Sequence, residues 1–225
     1  LAAGEIWMAT TARMPLRGIE VHSVLADGTA VCLRAITPAD EPLLRDGITK
    51  LSAEARYLRF FSPAPMPPDS VVERLVDVDG HDHIAWGALC TECKGTPAIG
   101  AVHAVRYAQG GRIGEYSVAV IDAFHGKGLA RMMTAALLIQ CLAEGLTVLD
   151  VHILSENHAA ARLVGSLGAK WQGAAEEYPN IGSTSRRRWS CCGGTKARAA
   201  CRTCFEPSAP AHRKGRRGLA GRPSC

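Results

Sequence analysis

A lysine between two glycines, Gly126-Lys127-Gly128, follows the apolar run Ser117 to Ile121 and precedes Leu129-Ala130-Arg131 and a long helical pattern. A strand, a glycine loop and a helix start in that order collect free backbone N–H groups at the positive end of a helix. The chemistry such a place performs is the holding of phosphate. Gly126 and Gly128 let backbone approach an anion closely. Lys127 offers a charge, or is a solvated loop lysine. Glu115 lies in the strand pattern that feeds the loop. A carboxylate on a half-buried strand can take a proton from an amine, directly or through a water. Its plain alternative is a surface glutamate near a turn. Tyr116 alternates to the opposite face and does not share the role. Should Glu115 be structural, His103 on the adjoining strand is the next proton acceptor in line. Asn157 opens a second apolar helix, as a ligand contact or as a plain N-cap.

Two other nucleotide motifs fit poorly. A P-loop needs Ser or Thr after its lysine, where this chain has Gly128. A dinucleotide fingerprint needs a small residue where Arg131 stands. Metal is not expected. His81-x-His83 reads as a loop or strand-edge pair, and Cys90-x-x-Cys93 lies too far from Cys201-x-x-Cys204 for a zinc ribbon.

The elements that would position these residues follow from pattern. Asp27-Gly28 between apolar runs marks a hairpin over residues 22–36. Thr37-Pro38-Ala39-Asp40 and Ser52-Ala53-Glu54 open two helices, the second stopping before Pro63, and Asp69 caps a third. Residues 84–90, 98–107 and 113–121 alternate as strands, with Gly110-Gly111 turning the last pair. A helix over 128–144, a strand over 147–153, a helix over 156–167 and a strand near 169–172 complete the order. A meander running into strand–helix–strand–helix–strand predicts an α/β fold. Its sheet is mixed and mostly antiparallel, with helices on both faces.

The 225 residues, 47% hydrophobic, suffice for one domain with a real core. The formal net charge of +5 belongs to the end of the chain: 11 Lys and Arg face a single acid, Glu206, from Arg186 onward. The preceding residues carry 15 Lys and Arg against 20 acids, so they are mildly acidic. The expected organisation is a loose segment 1–21, a folded domain 22–180 and a mostly disordered basic tail 181–225, with a short final strand near 184–190. The tail lacks the interleaved aromatics of a nucleic-acid platform, so nucleic-acid binding is not expected. No apolar run spans a membrane, and no secretory signal is evident. Nine cysteines, five of them beyond residue 190, with no such signal suggest a reducing, cytoplasmic setting.

His125-x-x-Gly128-x-Ala130 resembles the Gln/Arg-x-x-Gly-x-Gly/Ala signature of the GNAT acetyltransferase superfamily. The run from Glu156-Asn157 to Leu167-Gly168-Ala169 is similar to that superfamily's second cofactor motif. Leu25-Ala26-Asp27-Gly28, Leu33 to Glu41 and Leu51 to Phe61 resemble one branch, the bacterial protein-lysine acetyltransferases that act on acyl-CoA synthetases. The resemblance spans residues 22–172. It implies a sheet with a splayed central strand pair and acetyl-CoA as acyl donor. It places the pyrophosphate at His125, Gly126, Lys127, Gly128, Leu129 and Ala130, and the pantetheine arm along Val118 and Val120. Asn157 is then a cofactor contact and Glu115 the general base, since an ammonium must lose a proton before it attacks a thioester. The acceptor it implies is a lysine, for example of an acyl-CoA synthetase. A small-amine acetyltransferase and a catalytically inactive acyl-CoA sensor stay open. The chain departs from the pattern twice: His125 replaces Gln or Arg, and Val164 stands where many members place a tyrosine that protonates the leaving thiolate.

Overall fold

In a computed structural model, residues 18–190 are described except 63, 96, 172–175 and 179–181. Asp27-Gly28 turns the chain between β1 (Glu20–Val24) and β2 (Ala30–Ala35). Gly28 sits at φ 91°, a conformation glycine adopts freely, and the Asp27 carboxylate accepts from the Thr29 N–H at 3.1 Å. Asp40 then ties β2 to the first helices. Its carboxylate accepts from the Arg34 guanidinium at 2.8 and 2.5 Å and from the Thr37 N–H and hydroxyl at 2.8 and 2.9 Å. Arg34 above all holds its pKa near 2.

Three helices follow: α1 (Glu41–Thr49), α2 (Ala53–Phe60) and α3 (Asp69–Val76). Ser52 caps α2 by accepting from the Ala55 N–H at 3.1 Å. The meander β3 (His83–Cys90), β4 (Ala98–Arg106) and β5 (Ile113–Val120) comes next. After it run α4 (Leu129–Ala143), β6 (Val148–Leu154), α5 (His158–Ser166), β7 (Lys170–Trp171), β8 (Glu176–Tyr178) and β9 (Gly182–Ser190). Among the described residues the sheet has nine strands in the order β1-β2-β3-β4-β5-β6-β9-β7, with β8 on β9. All neighbours are antiparallel except β5 and β6.

Helix α1 packs on β4 and α2 on β5, while α4 covers β3, β4 and β5. Alternation puts Tyr116, Val102 and Trp86 under α4, and these are at most 2% exposed. Thr134 donates to the Ala130 carbonyl at 2.6 Å, so the Tyr116 hydroxyl, 2.7 Å away, donates to Thr134. Trp86 donates to Gln140 at 2.7 Å. These buried polar pairs fix α4, and with it the loop before its first turn, against the sheet.

The parallel register of β5 and β6 runs only from Ile113↔Val148 to Glu115↔Asp150. Beyond it β6 stays with β9 as far as Leu154↔Thr184, and β5 goes its own way. The expected splayed pair is this divergence.

The sheet reaches Ser190, ten residues past the boundary drawn at 180 from composition. Arg188 is not part of a solvated tail. Its guanidinium donates to Asp150 at 2.6 and 2.8 Å, and Asp150 is wholly buried. Charge density misled here because one arginine of the run neutralises an acid that faces inward. Arg188→Ala leaves that carboxylate buried without its guanidinium. We expect a loss of about 3 kcal/mol in urea unfolding, the low end for a broken buried pair because Arg188 is partly exposed. Segments 1–17 and 191–225, including Cys201-x-x-Cys204, lie outside the described residues. Cys90 and Cys93 form a disulfide across the turn between β3 and β4, which the reading of a reducing setting did not anticipate.

Candidate functional site

The site is built on the last half of β5. The Ile121 N–H donates to the Ile99 carbonyl at 3.0 Å, so odd-numbered residues there turn their backbone groups toward β4. The backbone groups of Val118 and Val120 therefore face the other way, into the gap left by β6. The His125 imidazole spans that gap's end, donating through Nε2 to the Val120 carbonyl at 2.8 Å. It pins the loop to the strand, a role that Gln or Arg at this position would fill differently.

Gly126 (φ 71°) and Gly128 (φ 90°) both lie in the left-handed region. A Cβ at either would meet nothing within 4 Å, so conformation and not crowding demands glycine. The first intrahelical bond of α4 runs from the Met132 N–H to the Gly128 carbonyl at 3.1 Å. The amides of Leu129, Ala130 and Arg131 precede it and point out of the helix end.

A groove of about 540 Å³ opens at this place, within the usual range for small-molecule sites. Val118, Val120, His125, Gly126, Gly128, Leu129, Ala130 and Asn157 all line it. Lys127 does not. Its ammonium pairs with Asp27 at 2.7 Å and lies 5.1 Å from the Phe124 ring centre. That contact, first among the causes, holds the Asp27 carboxyl near 2. Lys127 fastens the loop to the β1–β2 turn, which neither sequence reading foresaw. Asn157 caps α5, its Oδ1 accepting from the Ala160 N–H at 3.0 Å, and its amide nitrogen keeps its donors for the groove.

The far wall of the groove comes from Leu51, Ala55, Leu58 and Arg59. Asp122, just after β5, holds that wall by accepting from the Ser52 N–H at 3.0 Å and the Ser52 hydroxyl at 2.7 Å. Arg131 and Arg162 add positive charge to the lining. Periodicity hid these residues, because nothing in a helix pattern says which face meets a neighbouring strand.

A second, narrower cavity of about 70 Å³ lies between α1 and the sheet and is walled mainly by apolar side chains. Leu51, Arg59 and Ala119 line both spaces, so the two abut there. His103 faces the second cavity and is 3% exposed. Glu115 is exposed and lines neither space, in register between Val105 of β4 and Asp150 of β6. It does lie within electrostatic reach of Arg59, whose pKa burial lowers and Glu115 partly restores.

His103 and His83 are hydrogen-bonded, Nδ1 to Nε2, at 3.0 Å. Burial, first, pushes both below the usual histidine value, His103 well below it. The folded chain therefore binds fewer protons than the unfolded one below about pH 6.5. Their contribution is intact above that pH and is lost on acidification. Thermal melts from pH 8 to pH 5 are expected to show a falling Tm below about 6.5, with a shallower slope in His103→Gln.

His81 and His83 do not share a metal site among the described residues. His81 turns away from His83 to Glu144, at 2.8 Å. Glu20, His22 and Cys32 bring ligand atoms within 4.8 Å of one another on the outer hairpin, far along the sheet from the groove. Burial raises the Cys32 thiol, which disfavours the thiolate a metal binds.

Residues 30–170 match the Acetyltransferase (GNAT) domain family. The chain belongs to the GNAT acetyltransferase family. Acetyltransferase Pat of Mycolicibacterium smegmatis is 29% identical over 139 residues, 62% of this chain and 41% of that protein. The chain thus spans about two fifths of that curated relative. The GNAT domain of S. lividans PAT superposes with a TM-score of 0.67 at 24% identity, over 76% of this chain and 96% of that one. A spermidine N-acetyltransferase from Vibrio cholerae, solved with CoA and spermine, gives 0.57 at 17% identity, over 71% and 95%. Identities this low establish the shared GNAT fold. Val164 is 1% exposed within the core. Among the described residues no helix is long and apolar enough to cross a membrane.

Proposed function

We propose that the chain transfers an acetyl or other short acyl group from acyl-CoA to a primary amine, by direct attack within a ternary complex. The observation that carries this reading is the groove itself. It runs from the outward-facing amides at the start of α4 to the side of β5 that β6 leaves open at Val118 and Val120, where His125 already bonds the Val120 carbonyl. One end suits a pyrophosphate and the other an amide-bearing arm. In this reading the loop from His125 to Ala130 receives the phosphates, Val118 and Val120 bond the pantetheine arm, and Asn157 donates to the cofactor. Lys127 steadies the loop from behind.

The acceptor we propose is a protein lysine. Glu115 lies open on the sheet, with Val105, Tyr107 and Ile113 beside it 42, 52 and 39% exposed. An uncovered apolar strip around a carboxylate suits a side chain presented by another protein better than a free polyamine. Glu115 takes the ammonium proton on this exposed strip, and Arg59, which feels Glu115 electrostatically and lines the groove, marks where the freed amine meets the thioester. A cytoplasmic setting goes with this reading.

The test is an acceptor screen with acetyl-CoA, comparing lysine-bearing proteins, an acyl-CoA synthetase among them, with spermidine and simple alkylamines. Acetylation of protein lysines at rates well above those of free amines is expected. Faster turnover of a small amine would replace the proposed acceptor. Binding of acetyl-CoA with no turnover on any amine would favour a sensor.

A further inference from the structure

Acylating an ammonium removes two protons from its nitrogen. Glu115 accounts for the first. The second sits on the cationic nitrogen after attack, while the departing thiolate needs a proton and Val164, 1% exposed within the core, has none to give. We propose that His103 carries that second proton from the adduct nitrogen to the leaving sulfur, and that His83 sets the tautomer that lets it do so. The proposal rests on the acyl-transfer reading above and supplies its missing acid.

The hydrogen-bond chain fixes the tautomers. His83 Nδ1 lies 2.9 Å from the Asp77 carbonyl, which only accepts, so His83 Nδ1 carries the hydrogen. In the neutral ring its Nε2 is then an acceptor. His103 Nδ1, 3.0 Å away, must donate to it. His103 is thereby left with a bare Nε2, the atom its Nδ1 bond does not use, on a ring that faces the narrow cavity. Free imidazole favours no such arrangement strongly; here the Asp77 backbone imposes it through His83.

The cavity meets the groove at Leu51, Arg59 and Ala119. Its roughly 70 Å³ admits a water, so transfer to Nε2 is direct or through one solvent molecule. The groups around His103 set its basicity. Arg59 on α2 and His83 on β3 oppose a charge on it, Glu115 on β5 sits one step along the same face, and the paired Arg34 and Asp40 also line the cavity. Asp77 and Asp79 lie beyond His83 and favour charge there instead. An imidazolium at His103 is therefore short-lived and gives its proton up readily to a thiolate, whose conjugate acid has a pKa near 8.5.

The balance is complete. The amine lone pair forms the C–N bond, and the C–S pair leaves with sulfur. The nitrogen's second proton passes to His103 Nε2 and then to the thiolate, giving CoA as its thiol. The first proton leaves through Glu115 to solvent, so the net yield is amide, free CoA and one proton.

The experiment uses the full chain, acetyl-CoA and one lysine acceptor. If the wild-type chain forms no amide, the acyl-transfer reading fails and the shuttle with it. If amide forms, His103→Gln should lower kcat about 10²-fold while acetyl-CoA affinity by calorimetry is unchanged. The loss should shrink with an aryl thioester donor, whose thiolate needs no acid, whereas mere structural damage would slow both donors alike. His83→Gln keeps a carbonyl acceptor and should stay near wild type; His83→Leu should fall as His103→Gln does. Wild-type kcat in His103→Gln, or equal losses with both donors, overturns the shuttle. Should the variants not fold, imidazole ¹⁵N spectra of the wild-type chain decide. A His103 hydrogen on Nδ1 supports the proposal and one on Nε2 overturns it.

Discussion

Gly128→Glu is expected to abolish acetyl-CoA binding and leave the chain folded. The substitution acts in two ways. Gly128 holds φ at 90°, so any L side chain there costs about 1–2 kcal/mol of strain. That cost is local, because a Cβ at this position touches nothing within 4 Å. The larger effect falls on the ligand. The glutamate side chain stands at the N-terminus of α4, where the amides of Leu129 and Ala130 would otherwise meet a pyrophosphate, and it brings negative charge to that place. Affinity should drop at least 10²-fold by calorimetry, with the far-ultraviolet spectrum unchanged. Gly128→Ala carries the strain without the charge and should bind measurably. Wild-type affinity in a folded Gly128→Glu chain would remove the loop from the site.

The second large effect is expected of Glu115→Gln. Glutamine keeps the shape and the hydrogen bonding of the side chain and loses its capacity to accept a proton. Turnover should fall by about 10²–10⁴-fold, the usual range for a general base. Acetyl-CoA affinity should stay near wild type, since Glu115 lines neither the groove nor the cavity. The loss should narrow as pH rises, because more of the acceptor amine is then already neutral. Full turnover in the variant across the pH range would make Glu115 structural. A large loss of cofactor affinity would mean instead that it supports the β5–β6 junction.

The fold was legible wherever one local rule dominated. Asp27-Gly28, Ser52, Asn157 and the two loop glycines each announce a turn or a cap through their own chemistry, and each does that job in the structure. What lay between distant segments was not legible. Arg188 meets Asp150 across 38 residues, and Lys127 meets Asp27 across a hundred. Both lysine and arginine read as solvent-facing because exposure is their usual state. The groove's strand and loop were likewise local features, whereas its far wall depends on α2 being fastened to Asp122. The His83–His103 pair was the least visible of all. It needs a cross-strand diagonal, a buried ring and a backbone carbonyl to converge, and only the register of β3 on β4 supplies that.

The central claim is that the space between β5 and the start of α4 receives acyl-CoA. Calorimetric titration of the chain with acetyl-CoA tests it most directly. One molecule is expected to bind per chain, saturably, with the binding lost in Gly128→Glu and kept in Glu115→Gln. Absence of saturable binding at millimolar acetyl-CoA, or binding that survives Gly128→Glu unchanged, would contradict it.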